Sequence, residues 1–396
     1  MGDDRMTIFV SNYINHHQLP FCQAMLRELS GEFLFIQMEP MVEERVNMGW
    51  GVDVKKYPFV KCYQDAKEEC QRLIEDSECV IFGGWEDENI ILPRLEQGKF
   101  TLRYSERIYK EGQWKFISPR GLIKKYHDHV RFRKEEVYLL CAGGYVASDF
   151  QLIHAYPNHM FTWGYFPEFV PEDMETLFPK KETEGKAGEV EILWAGRMIP
   201  YKHPELAIKA VGELAETNPN FHFTMIGEGE ELENVKKIAT QYGITDKVSF
   251  PGFMKPTDVR EYMRKADIFL FTSDFGEGWG AVLNEAMNSG CACIAGSGIG
   301  AVPSMIRHGW NGYVYENGNG KELLTYLKEL AGSKAKRRVI GQNAYTSIQK
   351  YWNADYAAKE LAKFIKNPGE YKEPSVGPMS KAPVISPKKG YMYTRR

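Results

Sequence analysis

The sequence contains no apolar run approaching the ~20 residues that a membrane-spanning helix needs, so any meeting with a bilayer takes place at its surface. It has no large excess of either charge. The formal net charge is -3 over 396 residues, which excludes a generic nucleic-acid binder. Its seven cysteines form no CxxC pair. Cys291-Ala292-Cys293 has no second pair and no histidines at zinc spacing beside it. The thiols are therefore expected to be reduced and mostly buried, as in a reducing cytosol. The opening residues MGDDRMTIFVSNYIN are too acidic, and too short in apolar run, for a secretory signal.

What is present is a regular alternation. Short apolar runs such as Thr7-Ile8-Phe9-Val10, Phe33-Leu34-Phe35-Ile36, CVIFGG from Cys79, FTLRYS from Phe100 and VYLLCAGG from Val137 are separated by helical patterns. All of these runs but Phe33–Ile36 are closed by Gly or Ser. This is the pattern of parallel strands covered on both faces by helices. Between Phe166 and Glu189 the pattern breaks into charges and prolines without a period. It then restarts with VEILWAGR, FHFTMIGEG, KVSFPG, DIFLFTS and CACIAGS. The expectation is an α/β chain of two doubly wound, Rossmann-like domains facing a central cleft. The first domain is placed at 1–167, a linker at 168–188 and the second domain at 189–350. A helix at 351–367 crosses back to the first domain, and 368–396 is an irregular tail.

One stretch concentrates chemistry. GEGWGAVLNEAM, Gly276 to Met287, puts Glu277 in a glycine-rich loop and Glu285 about one turn into a helix that starts near Ala281. Glycines let backbone approach a ligand closely, and free N–H groups at a helix start suit phosphate. Carboxylates on either side can accept from sugar hydroxyls. The two acids read equally well as solvated surface charges on this spacing alone.

The surrounding blocks decide between these readings. ILWAGRMIPYK, FHFTMIGEGEE, KVSFPGF, ADIFLFTSDFGEGWGAVLNEAMNSG and GWNGYVYENGN occur in one order between Ile192 and Asn319. Together they resemble the donor domain of the retaining GT-B glycosyltransferases of family four, also called glycosyl transferases group 1. The resemblance is carried by the second domain, and by the first only through its architecture. It implies that Arg197 and Lys202 hold the donor diphosphate and stabilise its growing charge. It implies that Glu277 contacts the donor sugar and Glu285 the ribose. Backbone of Gly278, Trp279, Gly280, Ala281 and Val282 would line sugar and phosphates, and Gly227, Gly252, Phe253 and Met254 would lie near base and ribose. The family often carries a Pro-Glu pair after the strand CACIAGS; this chain has Ser304 where that Glu would fall.

In the first domain, Asn15-His16-His17-Gln18 stands where the family has a glycine-rich loop. His16 and His17 either donate to phosphate or acceptor, or merely open the helix near Pro20. A family histidine is missing at Ser105-Glu106-Arg107. Glu106 could accept from the attacking hydroxyl, and Arg107 could pair with Glu106 or with an acceptor phosphate; a structural Glu–Arg pair is the alternative. The stretch 119–134 reads as a basic amphipathic helix that either docks on anionic lipid or turns its apolar face inward.

The resemblance thus implies a retaining hexosyltransferase with Glu277, Arg197 and Lys202 in catalytic roles, and Glu106, at the position of the missing histidine, is the catalytic candidate of the first domain. Such an enzyme would move sugar from a nucleotide-sugar donor, UDP-sugar favoured, to a glycan or lipid-linked acceptor hydroxyl in polysaccharide or glycoconjugate synthesis. With no Asp-x-Asp pair in a donor loop, no metal and no cofactor is expected. The expected location is the cytoplasm or the inner face of the membrane, with no nucleic-acid partner. A sugar-nucleotide epimerase of the same fold and a non-enzymatic bilobal binding protein are the alternatives.

Overall fold

The computed structural model describes residues 6–184 and 188–395. The chain divides into two compact units. The first runs to Glu168 and takes in Asn353–Ser386; the second is Phe169–Trp352 with the residues from Pro387 onward.

The first unit is built on seven parallel strands. They are β1 (Thr7–Ser11), β2 (Phe33–Gln37), β3 (Val60–Cys62), β4 (Cys79–Gly83), β5 (Thr101–Ser105), β6 (Val137–Ala142) and β7 (Met160–Trp163). Their order is β3-β2-β1-β4-β5-β6-β7. Every residue of β1 and β4 is buried, which explains why these strands read as continuous apolar runs rather than alternating ones. Thr7 lies between Phe33 and Cys79 in register, so the chain reverses direction across the sheet between β1 and β4. Such a reversal leaves a crevice at the carboxyl ends of the two strands.

The helix Ala354–Lys366 belongs to this unit. Phe364 packs edge-on against Tyr138 and Phe161, both at 4.9 Å between ring centres. Lys366 donates to the Glu28 carbonyl at 2.9 Å, at the last turn of the helix Leu19–Glu28. The segment beyond it is not a loose tail. Met379 N–H donates to Thr162 O (2.9 Å), Thr162 N–H to Ser380 O (2.8 Å) and Ala382 N–H to Met160 O (2.9 Å). β7 is an edge strand, and this extended segment satisfies backbone groups that the sheet leaves open. Further on, Gly390–Tyr393 forms a short helix within the second unit, where Arg395 lies 4.2 Å from the centre of the Tyr391 ring.

The second unit has six parallel strands: β8 (Val190–Ala195), β9 (Phe221–Ile226), β10 (Val248–Gly252), β11 (Ile268–Phe271), β12 (Ala292–Gly296) and β13 (Tyr313–Tyr315). The order β10-β9-β8-β11-β12-β13 places the reversal between β8 and β11. The segment expected as a linker contains the helix Met174–Glu184. Leu177 and Phe178 of that helix are buried, and both pack close to Gly290. Glu172 pairs with Arg264 at 2.7 Å, and Val170 N–H donates to Asn288 at 2.9 Å. Two adjacent apolar residues and an internal Pro179 gave no helical period to read, yet they suffice to dock one turn. Residues 185–187 lie outside the described residues. All seven cysteines are unpaired thiols and all but Cys62 are buried.

Candidate functional site

In the second unit, the loops after β8 and β11 flank the reversal point, where doubly wound sheets bind ligands. The loop after β8 carries Arg197, Tyr201, Lys202 and His203. Its path is set by two glycines after β9. A Cβ at Gly227 (φ 132°) would lie 1.9 Å from the Gly196 carbonyl oxygen, and one at Gly229 (φ 149°) 2.3 Å from that of Met198. Only glycine permits both the approach and the backbone angle.

The loop after β11 is bound to the first loop by a chain of hydrogen bonds. Trp194 Nε1 donates to Thr272 Oγ1 (2.9 Å), which donates to Lys202 O (2.8 Å). Asp274 N–H donates to Tyr201 O at 2.9 Å. The Lys202 ammonium forms an ion pair with Glu277, whose Oε2 also accepts from Ser273 Oγ at 2.9 Å. Both ends of that pair are largely buried. Arg197 is exposed, and its guanidinium donates to Tyr201 Oη at 3.2 Å. The Lys202 ammonium lies 5.4 Å from the centre of the same Tyr201 ring. Tyr201 therefore touches both cations, and Gly276 stays small because a Cβ there would lie 3.1 Å from Tyr201.

His203 adopts a left-handed backbone (φ 47°). Its Nδ1 lies 2.9 Å from Glu205 Oε1 and its Nε2 2.9 Å from Asp274 Oδ2. Burial disfavours a charge on this ring, but hydrogen bonds to Glu205 and Asp274 outweigh it and raise its pKa. Asp274 also accepts from Gly276 N–H at 2.7 Å. Sequence reasoning missed Tyr201, His203, Ser273 and Asp274. Their only signal was adjacency to Lys202 and to the Gly276–Gly280 loop.

Beyond that loop, Gly280 (φ 90°) packs so closely that a Cβ would lie 2.7 Å from the Phe271 ring. The Trp279 side chain turns inward, donating to Asn284 Oδ1 at 2.8 Å, so only its backbone remains for a ligand. The helix Val282–Asn288 follows Ala281, and a Cβ at Gly300 would lie 1.7 Å from Gly278 O. Glu285 lies on this helix with its carboxylate 4.0 Å from the Arg260 guanidinium. Burial raises the Glu285 pKa, opposed by Arg260. On the other flank, Gly252 (φ 81°) ends β10 and Phe253 follows it. Phe253 N–H donates to Glu228 at 3.3 Å, and its ring is exposed.

In the first unit, the loop after β1 opens the helix Leu19–Glu28 through Asn15, not through a histidine. Asn15 Oδ1 accepts from the N–H groups of His17 (2.9 Å) and Gln18 (3.2 Å). The rings of His16 and His17 lie 3.8 Å apart, with Trp50 at 5.8 and 6.1 Å. Glu106 and Arg107 do not pair. Tyr165 donates to Glu106 at 2.5 Å, and Lys110 holds its other oxygen. Arg107 is buried against Asp149, with both contacts at 3.2 Å, and Asp149 also accepts from Tyr109 N–H and Gln113. The Arg107 guanidinium is thus held by Asp149, in place of the pair with Glu106 that the sequence suggested.

Residues 177–347 match the family model described as glycosyl transferases group 1. The match lies within the second unit. Its start inside the helix Met174–Glu184 agrees with that helix belonging to the second unit. Spore coat protein SA of Bacillus subtilis is 28% identical over 204 residues, covering 50% of this chain and 54% of that protein. N-acetyl-alpha-D-glucosaminyl L-malate synthase of Bacillus anthracis is 26% identical over 187 residues, covering 47% of each. The chain spans about half the length of the curated relatives it matches. Among solved structures, Anabaena HepE in complex with UDP gives a TM-score of 0.67 at 15% identity, covering 91% of this chain and 99% of that one. That likeness shows a shared fold, the two Rossmann-like units of the GT-B class.

Proposed function

We propose that the protein is a retaining glycosyltransferase that moves a sugar from a nucleotide-sugar donor to an acceptor hydroxyl of a polysaccharide or glycoconjugate precursor. The observation that carries this reading is the cluster of Arg197, Tyr201, Lys202 and Glu277 on the two loops at the reversal point of the second unit. Arg197 and Lys202 stabilise the charge that builds on the leaving diphosphate. An incoming diphosphate competes with Glu277 for Lys202, which frees the Glu277 carboxylate for sugar hydroxyls. Glu285 accepts from the ribose, backbone from Gly278 to Val282 lines sugar and phosphates, and Gly227, Gly252, Phe253 and Met254 receive the base side. HepE was solved with UDP and with UDP-glucose, which supports UDP as the carrier.

For the chemistry, the acceptor hydroxyl attacks the anomeric carbon from the face that the diphosphate leaves. The carbon–oxygen bond to phosphate breaks, the new glycosidic bond forms, and the hydroxyl proton passes to a phosphate oxygen. Glu106, with His16 and His17, orients the acceptor. The two cations supply the positive charge, so turnover should survive chelation of divalent metals. No described helix is long and apolar enough to cross a membrane; we place the enzyme in the cytoplasm or against the membrane's inner face.

The test is a panel of UDP-, GDP- and ADP-sugars, with nucleoside diphosphate release followed with and without glycan and lipid-linked acceptors. Acceptor-dependent release is expected. Binding of a sugar nucleotide with conversion of its sugar but no release would make the protein an epimerase, and no sugar-nucleotide binding would overturn the reading.

A further inference from the structure

The first unit displays apolar side chains that its own core does not use. A 3-10 turn, Gln113–Ile117, leads through Ser118 into the helix Pro119–Asp128. Ser118 Oγ accepts from Gly121 N–H, and Pro119 opens the helix, so the element is properly begun. Yet the helix has no buried residue. Leu122, Ile123 and Tyr126, which share one helical side, are exposed, so the apolar side does not turn inward. The preceding turn adds Trp114, 68% exposed, and Ile117, 66% exposed. Five of the fifteen large hydrophobic residues exposed among the described residues fall between positions 114 and 126. The Trp114 indole lies across Gly112, where a Cβ would meet it at 2.6 Å.

The charge here runs against the rest of the molecule. Residues 110–134 hold eight lysines and arginines against two acids, in a chain of net charge -3. Lys124 pairs with Asp128 at 3.0 Å and Arg131 with Glu96 at 3.4 Å. Arg120, Arg133 and Lys134 make no ion pair among the described residues.

We propose that this surface, with Trp114, Ile117, Leu122, Ile123 and Tyr126 inserted and Arg120 and Lys124 beside them, docks the first unit on a bilayer containing anionic lipid. A second copy of the chain would bring this cationic surface against itself, which like-charge repulsion opposes. Anionic headgroups satisfy the cations while the acyl boundary receives the apolar side chains. Aromatic rings with one polar atom suit that boundary. The proposal deepens the functional reading by making the acceptor lipid-linked, and it rests on that reading for the acceptor alone. The docking itself does not depend on it.

The experiment is flotation of the full chain with phosphatidylcholine vesicles, with and without phosphatidylglycerol. At low salt the protein should float with the anionic vesicles only, and high salt should release it. Combined Trp114→Ser and Ile123→Ser should weaken binding about tenfold or more while leaving the melting temperature and UDP binding unchanged. Arg120→Glu with Lys124→Glu should remove the preference for anionic lipid, at about fivefold per charge. Absence of flotation at low salt, or equal binding by the Trp114→Ser, Ile123→Ser variant, overturns the proposal. So does a wild-type dimer that this variant converts to monomer in light scattering, since the surface would then be a protein interface. Flotation needs no turnover, so a failed donor assay beside successful flotation overturns only the transfer reading.

Discussion

Lys202 and Glu277 form an ion pair with each other across the two loops at the reversal point of the second unit. The sequence had given them separate partners, diphosphate and sugar. Pairing keeps two partly buried charges satisfied, and it ties donor binding to an exchange of partners. Lys202→Ala should lower kcat/KM about 100-fold, the scale for losing one donor that stabilises a developing negative charge. Glu277→Gln should act in opposite directions on two readouts. UDP alone should bind more tightly because Lys202 is released, while turnover of the sugar donor falls. Calorimetry with UDP beside steady-state kinetics separates these effects. If both variants weaken UDP to the same degree, the exchange does not occur.

His203 makes this site pH-sensitive. Protonated, the ring donates to both Asp274 and Glu205; neutral, it can donate to only one. Its folded pKa is raised above the usual ~6.5. The stabilisation is then complete below about pH 6.5 and is lost as pH rises through the higher folded value. UDP affinity should fall across that window, and His203→Asn should flatten the fall. Superimposable pH profiles for the two proteins would remove His203 from the account.

Arg107 and Asp149 form a nearly enclosed ion pair in the first unit. Arg107→Ala leaves Asp149 buried without its cation and should cost about 3–5 kcal/mol of stability in urea unfolding. UDP affinity of the folded fraction should not change. A rise in acceptor KM with stability intact would place Arg107 on the acceptor side.

Gly227 and Gly243 both have positive φ, but they differ in surroundings. At Gly243 nothing lies within 4 Å of an added Cβ, whereas at Gly227 the Gly196 carbonyl blocks it. Gly243→Ala should cost about 1 kcal/mol, from backbone angle alone. Gly227→Ala should cost several-fold more and lower UDP affinity, because the loop carrying Arg197 and Lys202 has to move. Equal melting temperatures for the two variants would show that the close approach does not govern that loop.

Glu285 tests the ribose assignment. Glu285→Ala should weaken UDP about tenfold, with a smaller effect on a ribose-lacking diphosphate. Unchanged UDP affinity would mean that the carboxylate serves Arg260 and the helix packing instead.

The sequence by itself determined the α/β architecture, because strands buried on both faces have to be continuous apolar runs bounded by turn residues. It also located Arg197, Lys202, Glu277 and the glycine-rich loop, since these stand in contiguous blocks at strand ends. Other features depended on packing between segments far apart in the chain, and no local pattern reports that. Three of them are clear cases. Leu177 and Phe178 dock a short helix on Gly290 within a stretch that reads as a linker. Met379, Ser380 and Ala382 close the β7 edge within a stretch that reads as a tail. Arg107 chose Asp149, 42 residues away, over its neighbour Glu106. Which side of the helix Pro119–Asp128 faces solvent was likewise undecidable from periodicity. A 3.6-residue repeat says that an apolar side exists, and only the tertiary structure says whether the rest of the protein covers it.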